Sequence, residues 1–412
     1  MQNRLPAMVL CWLNTVVCVA VTENSLSAQV ITRASRTSLI KPLQVESWPA
    51  WLSIAWRRVS PPQSGELQQA TTIRKGIVEL LVEAGQIEQA FAAAATLQGL
   101  ERYQAFAFLA DHSEGKEHES AVAEVQRGFQ FLSARNQEVL VADLMPITTP
   151  KGKEAFREML NRCIEKDERL LALGRAAASA ASKDSEIFEE CLAELSSDTS
   201  GLNPLHRRYT AVALHVVAEG LRTADSKGSG QWLEICKSAA ELLEKNPLNP
   251  VEVLANLAGT CFAGGKEKEG QEMLQRALEH WRRLGIGTDE RMQGMLAITQ
   301  AALKAKEPRL PSNWGAQSQE EAGKGKDDWR WELLVKAGRI SHLTGDIKSA
   351  VITWHEAAKT ANSNPNPLVK LTCQALIALE AHEAGLTPSE DMLRELALFD
   401  EVGSNKEGTS AP

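Results

Sequence analysis

Apolar side chains recur along most of this chain at three- and four-residue spacing. Ile73, Ile77, Leu80, Leu81 and Ala84 form one such stripe, and Val251, Leu254, Ala258, Cys261 and Phe262 form another. Trp331, Leu334, Val335 and Gly338 repeat the pattern, as do Ile347, Ala350, Trp354, Ala357 and Ala361. This is the period of one face of a helix, and it persists from about Gln68 to Asp400. No run alternates apolar and polar residues, so a sheet is not expected. Helix starts are marked at Thr149-Pro150, Asn203-Pro204, Asn249-Pro250, Asn366-Pro367 and Thr387-Pro388. Each places a capping side chain before a proline, which has no N–H to leave unbonded at the first helical position. Glu252 and Glu390, three residues after Asn249 and Thr387, suit capping boxes.

The pattern breaks in four places. Residues 1–28 read as a secretory signal peptide: Arg4, an apolar run from Leu5 to Val21, then small residues at Ser25, Ser27 and Ala28. Cleavage near residue 28 is expected, with an uncleaved N-terminal anchor as the alternative. Residues 29–66 read as irregular, except for Trp48-Pro49-Ala50-Trp51-Leu52-Ser53-Ile54-Ala55-Trp56-Arg57-Arg58. That stretch suits a helix docking on the first repeat, or tryptophans held at a membrane interface. Residues 305–328, rich in Gly, Gln, Glu and Lys, read as a linker between helical regions 67–304 and 329–401. Residues 402–412 read as a disordered polar tail.

A repeat lies inside the helical regions. Gly85-Gln86-Ile87-Glu88-Gln89-Ala90, Gly345-Asp346-Ile347-Lys348-Ser349-Ala350 and the weaker Gly265-Lys266-Glu267-Lys268-Glu269-Gly270 each end one helix and begin the next. This resembles the tetratricopeptide repeat, a helix–turn–helix unit of about 34 residues. Residues 331–364 match best, through Leu334, Gly338, Gly345, Ala350, Trp354 and Ala357. Residues 251–284 match through Leu254, Leu257, Ala258, Gly265, Leu274 and Ala277, with Gly270 where alanine is usual. Residues 71–104 match through Ile77, Gly85, Ala90, Ala94 and Leu97. The expected fold is all-α, an α-solenoid of stacked antiparallel helix pairs with about twelve helices. The resemblance implies a protein that docks unknown protein partners on a concave repeat surface.

Composition supports this in part. Of 412 residues, 43% are hydrophobic and 24% charged, as in ordinary globular proteins. Alanine clusters such as Ala176 to Ala181 suit close helix approach. A net charge of −8 supplies no basic footprint for nucleic acid. Seven cysteines, Cys11, Cys18, Cys163, Cys191, Cys236, Cys261 and Cys373, form no CxxC. They read as buried small hydrophobes, with one bridge from Cys236 to Cys261 left open.

No motif assigns chemistry. Lys227-Gly228-Ser229-Gly230 lacks the spacing of a nucleophile elbow. Gly264-Gly265-Lys266-Glu267 lacks the hydroxyl residue of a phosphate loop, and Gly285-Ile286-Gly287 follows a helix rather than a strand. Asp111, His112, Glu114, Glu117, His118 and Glu119 read as a solvated charged loop rather than a metal site. His382 shares an apolar face with Leu368, Leu371, Ala375 and Leu379 and reads as a core histidine. Glu189-Glu190 and Glu320-Glu321 read as exposed faces, and His206-Arg207-Arg208 and Trp281-Arg282-Arg283 as helix-end charges. No catalytic, cofactor-binding or metal-binding residue is assigned. The expected function is a protein–protein interaction scaffold, periplasmic or secreted, touching a membrane through its N-terminal segment if at all. The rival is a helical enzyme with a cleft holding His112, His118 or His215 beside carboxylates; a membrane-held envelope protein is a third reading.

Overall fold

A computed structural model describes residues 43–60, 66–129, 131–133, 165–181, 185–197, 203–224, 230–244, 248–306, 313–326 and 328–396, with isolated positions 136, 157, 160, 161, 246 and 310. The expected signal peptide, the Thr149-Pro150 cap, Cys11, Cys18, Cys163 and the tail lie outside the described residues. There are seventeen α-helices and no strand among the described residues, so the all-α expectation holds, with more helices than the twelve or so foreseen.

The helices are α1 Ala50–Val59, α2 Gln68–Glu83, α3 Ile87–Thr96, α4 Gly99–His112, α5 Gly115–Phe129, α6 Lys166–Ala180, α7 Ser185–Ser196, α8 Pro204–Ala224 and α9 Gln231–Glu244. They continue as α10 Val251–Ala263, α11 Glu267–Trp281, α12 Asp289–Ala302, α13 Trp314–Gly323, α14 Arg330–Leu343, α15 Ile347–Asn362, α16 Pro367–Glu383 and α17 Glu390–Glu395. The pairing is that of an α-solenoid. Even-numbered helices stack side by side, and the odd-numbered helices from α3 to α15 pack back on the even one before them, except α13, which packs mainly on α14 after it.

The three repeat turns share one geometry. Gly85, Gly265 and Gly345 have φ of 72°, 73° and 89°. In each, the glycine N–H and the next N–H reach back to carbonyls of the preceding helix, as Gly345 N to His342 O (2.9 Å) and Asp346 N to Ser341 O (2.9 Å). A left-handed residue is required there, so a side chain would be strained. A fourth copy sits after α16, where Gly385 has φ 65° and Leu386 N bonds Ala381 O (3.1 Å).

Small residues set the helix separations. A Cβ added to Gly338 would lie 2.3 Å from Trp354 Nε1, the bulky residue of the same unit. At Gly270, where alanine is usual, the Phe262 ring takes the space, with Cε1 2.5 Å from an added Cβ. Helices α6 and α8 cross almost backbone to backbone: a Cβ on Gly174 would meet Ala213 Cα at 2.8 Å.

Two boundaries differ from expectation. The segment 305–328 is not all linker, because α13 folds within it and buries Trp314, Ser318, Glu321 and Ala322. Glu321, expected on an exposed face, pairs with Arg291 at 3.0 Å and is buried. The Thr387-Pro388 cap is also displaced: Ser389 caps α17, accepting from Met392 N at 3.2 Å, and Glu390 begins that helix. Asn203 and Asn366 do cap α8 and α16.

The largest difference concerns the chain ends. Helix α1 touches the first unit through α2, but packs more extensively along α16, the last long helix. Neighbouring even helices run α6, α8, α10, α12, α14, α16, α2, α4, so the N-terminal units follow the C-terminal ones in space. Trp48, Trp51 and Trp56 are all buried in this junction rather than displayed at the surface. Cys191, Cys236, Cys261 and Cys373 are free and buried, so no bridge joins Cys236 to Cys261. Among the described residues no helix is long and apolar enough to cross a membrane.

Candidate functional site

The even-numbered helices carry polar stripes that meet one another. On α10, Glu252, Asn256 and Thr260 recur at four-residue spacing and so share one face. Glu252 accepts a hydrogen bond from Gln293 on α12, and burial raises its pKa against the pull of Arg208 on α8. Lys336 on α14 is ion-paired with Asp289 and, at 3.1 Å, with Glu332. Burial alone would lower the Lys336 pKa, but the two carboxylates outweigh it and raise it. Gln69 on α2 donates to Glu332 at 3.0 Å and carries the chain of contacts across the junction of the chain ends.

His215 lies farther along α8. Its Nε2 is 3.2 Å from the Thr260 hydroxyl, which also bonds Glu219. Glu219 accepts from Arg222 at 2.6 and 3.0 Å. Burial raises the Glu219 pKa, but Arg222 outweighs it and the result is about 2. Burial lowers His215 to about 4, Lys304 adds to the fall and Glu219 opposes it. The structure thus joins His215 to a carboxylate, as the enzyme reading asked. It also seals the histidine and the hydroxyl in, His215 being 6% exposed and Thr260 1%, while Glu219 is half-buried. A substrate cannot reach a hydroxyl so enclosed without the helices parting.

His112 and His118 are not brought to this cluster. His112 Nδ1 faces the Phe108 carbonyl (2.9 Å) and its ring stacks on Phe108, while His118 Nδ1 faces the Ala110 carbonyl (2.6 Å). His382 is half-buried near the end of α16, and burial lowers its pKa. Among the described residues no group of three or more His, Cys, Asp or Glu is arranged to hold a metal ion.

The neutrality of His215 has a measurable consequence. Its folded pKa lies below the ordinary 6.5, so as pH falls the unfolded chain takes up the proton first. The stability it contributes is complete above pH 6.5 and is lost as pH falls from there to about 4, by up to about 3 kcal/mol. His215→Gln should lose this part of the pH dependence, seen as a smaller difference in urea midpoint between pH 7 and pH 4.5. Equal differences in the two proteins would refute the assignment.

The exposed surface is most distinctive on α15. Asp346 caps this helix, accepting from Ser349 N at 3.0 Å. Ala350, Trp354, Ala357 and Ala361 face inward, which leaves Ile352, His355, Glu356, Lys359 and Ser363 on the opposite side. With Asp328, Arg330 and Pro365 these line a groove of about 650 Å³. Arg330 bridges to Glu356 at 2.9 Å. Ile352 is 64% exposed, Trp329 55% and Ile347 43%. Three of the seven exposed large apolar side chains among the described residues thus belong to this one helix pair, which singles it out from the rest of the described surface. Ile347 was assigned to the packed stripe by its spacing; as the first residue of α15, just after the turn at Gly345, it is instead exposed.

No family model matches the chain, and no curated protein does. Among solved structures, a circular tandem repeat protein with novel repeat topology and enhanced subunit contact surfaces is similar over 84% of this chain and 92% of that one, at 13% identity and a TM-score of 0.26. The helix pairing described above defines the class: a helical repeat protein of the α-solenoid type.

Proposed function

We propose that this chain is an exported scaffold that holds protein partners in the periplasm or cell envelope, with no chemistry of its own. The observation that carries the reading is the apolar and mixed-charge groove on α15, in the unit that most resembles a tetratricopeptide repeat. Ile352 loses water on docking there, and Arg330, Glu356 and Lys359 surround it with a polar rim, the usual build of a protein interface. The surface expected for partners was the concave repeat surface, and the even-numbered helices carry the polar stripes described above. Those charges are already paired with one another, which favours α15 instead. The N-terminal apolar run supports export.

The test compares capture by the full chain and by its Ile352→Glu variant from an envelope fraction, with the mass of the purified native protein measured alongside. Partners retained by the natural chain and lost at least tenfold by the variant support docking on α15. An unchanged partner set would sink it. A native mass that begins near residue 29 supports export with cleavage, and one that retains Met1 to Ala28 counts against cleavage.

A further inference from the structure

Helix α16 ends as α2, α10 and α14 end, in a glycine turn that directs the chain back along the helix just completed. After those three helices the chain supplies an outer helix of its own, of 10, 15 and 16 residues respectively. After α16, among the described residues, it supplies α17 alone, of six residues. The outer place is filled from the far end of the sequence by α1.

Helix α1 is built for that place. Trp51, Leu52, Ala55, Trp56 and Val59 are all buried, at 4% exposure or less. Trp51 Nε1 donates to the Leu386 carbonyl at 2.6 Å, a contact that spans 335 positions and fixes the indole against the α16 turn. Trp48 packs edge-on against Trp56, with ring centroids 5.4 Å apart. The contacts of α1 with α16 exceed those with α2, its neighbour in sequence.

We propose that α1 and the outer face of α16 form a plug and socket, and that the plug can be exchanged reciprocally between two copies of this chain. The docked surfaces are the same whether α1 comes from its own chain or another, so a swapped dimer needs no new interface. A reciprocal exchange closes with two-fold symmetry and leaves no socket open. The covalent link between α1 and α2 favours the internal arrangement by raising the local concentration of the plug, to the order of millimolar for a short linker. Shortening that link removes the advantage.

The experiment uses the full chain with Pro61–Gly65 deleted, and measures mass by light scattering after gel filtration. The expected result is twice the mass of one variant chain, which is slightly below the 45.0 kDa of the full one. Adding Trp51→Ala, Leu52→Ala and Trp56→Ala to the deletion should return the monomer. A deletion variant that is monomeric with native helicity overturns the proposal. A second measurement uses the natural chain and covers the case in which the deletion variant does not fold. Heavy-isotope and ordinary chains are unfolded and refolded together at high concentration, and dimers are weighed by native mass spectrometry. Mixed dimers that vanish with the triple tryptophan–leucine variant support exchange. Their absence in the natural chain, or their persistence in that variant, overturns it.

Discussion

Replacing Arg74 by alanine is expected to destabilise the protein by about 3–5 kcal/mol, the range found when one partner of a buried ion pair is removed. The guanidinium is fully buried at 0% exposure. It forks onto Glu101 through Nε (2.6 Å) and Nη2 (2.9 Å), onto Glu66 through Nη2 (2.5 Å) and Nη1 (2.9 Å), and donates to the Val59 carbonyl at 2.7 Å. One side chain therefore fastens α2 to α4 and to the end of α1. The two partners shift in the same direction: the carboxylates hold Arg74 above the usual arginine range despite burial, yet Glu101 is also raised. Burial of Glu101 outweighs the attraction, so this carboxylate depends on Arg74 to stay ionised. Without the arginine it must be protonated or solvated. Urea midpoints would measure the loss, and the pair Arg74→Ala with Glu101→Gln should recover part of it, as expected of coupled sites. A single-variant loss below about 1 kcal/mol would show that the cluster holds nothing together.

Trp51→Ala is expected to cost a similar amount, about 3–5 kcal/mol, from the vacated volume and lost apolar burial. The site cannot collapse easily, because Leu52, Ala55 and Trp56 hold the neighbouring volume and Trp51 itself is 2% exposed. The Leu386 carbonyl also loses its indole donor. The location of the effect is as informative as its size. Amide exchange should accelerate in α1 and in α16, and stay unchanged in α8 and α10. Uniform acceleration would mean that α1 supports the whole array; no change in α16 would remove the junction of the chain ends as a source of stability. The same geometry constrains folding. The plug is synthesised well before its socket, the Trp51–Leu386 contact spanning 335 positions, so the junction cannot form until α16 has been made, at a high cost in loop closure.

Much of this fold was legible one helix pair at a time. The glycine turns at Gly85, Gly265 and Gly345 and the caps at Asn203 and Asn366 are local signals read within a few residues, and the small-against-bulky pair of Gly338 and Trp354 lies within one helix hairpin. α13 was hidden by composition. Trp314, Ser318, Glu321 and Ala322 do fall on one helical face, but two of the four are polar, and nothing in the segment reveals that Arg291 waits for Glu321. Trp314 needs its own distant partners, the Thr299 hydroxyl at 2.8 Å and the Trp281 ring at a centroid separation of 4.9 Å. The candidate site was less legible. The spacing of Ile347 placed it in the packed stripe, and nothing in the periodicity of Ile352 marks it as a residue left uncovered on α15.

The sequence by itself determined the class of element, and in the three matched units the turn geometry and the pairing of the two helices, because these depend on backbone conformation and on side chains within one helix hairpin. Tertiary structure alone decided that α1 serves the last unit rather than the first, that His215 is sealed against Glu219 and Thr260, and that α15 keeps its apolar rim uncovered. Those outcomes depend on which surfaces meet after the units have stacked. Trp51 carries the same hydrophobic demand in either place, and only the vacant outer face of α16, hundreds of residues away, offers the surface that satisfies it.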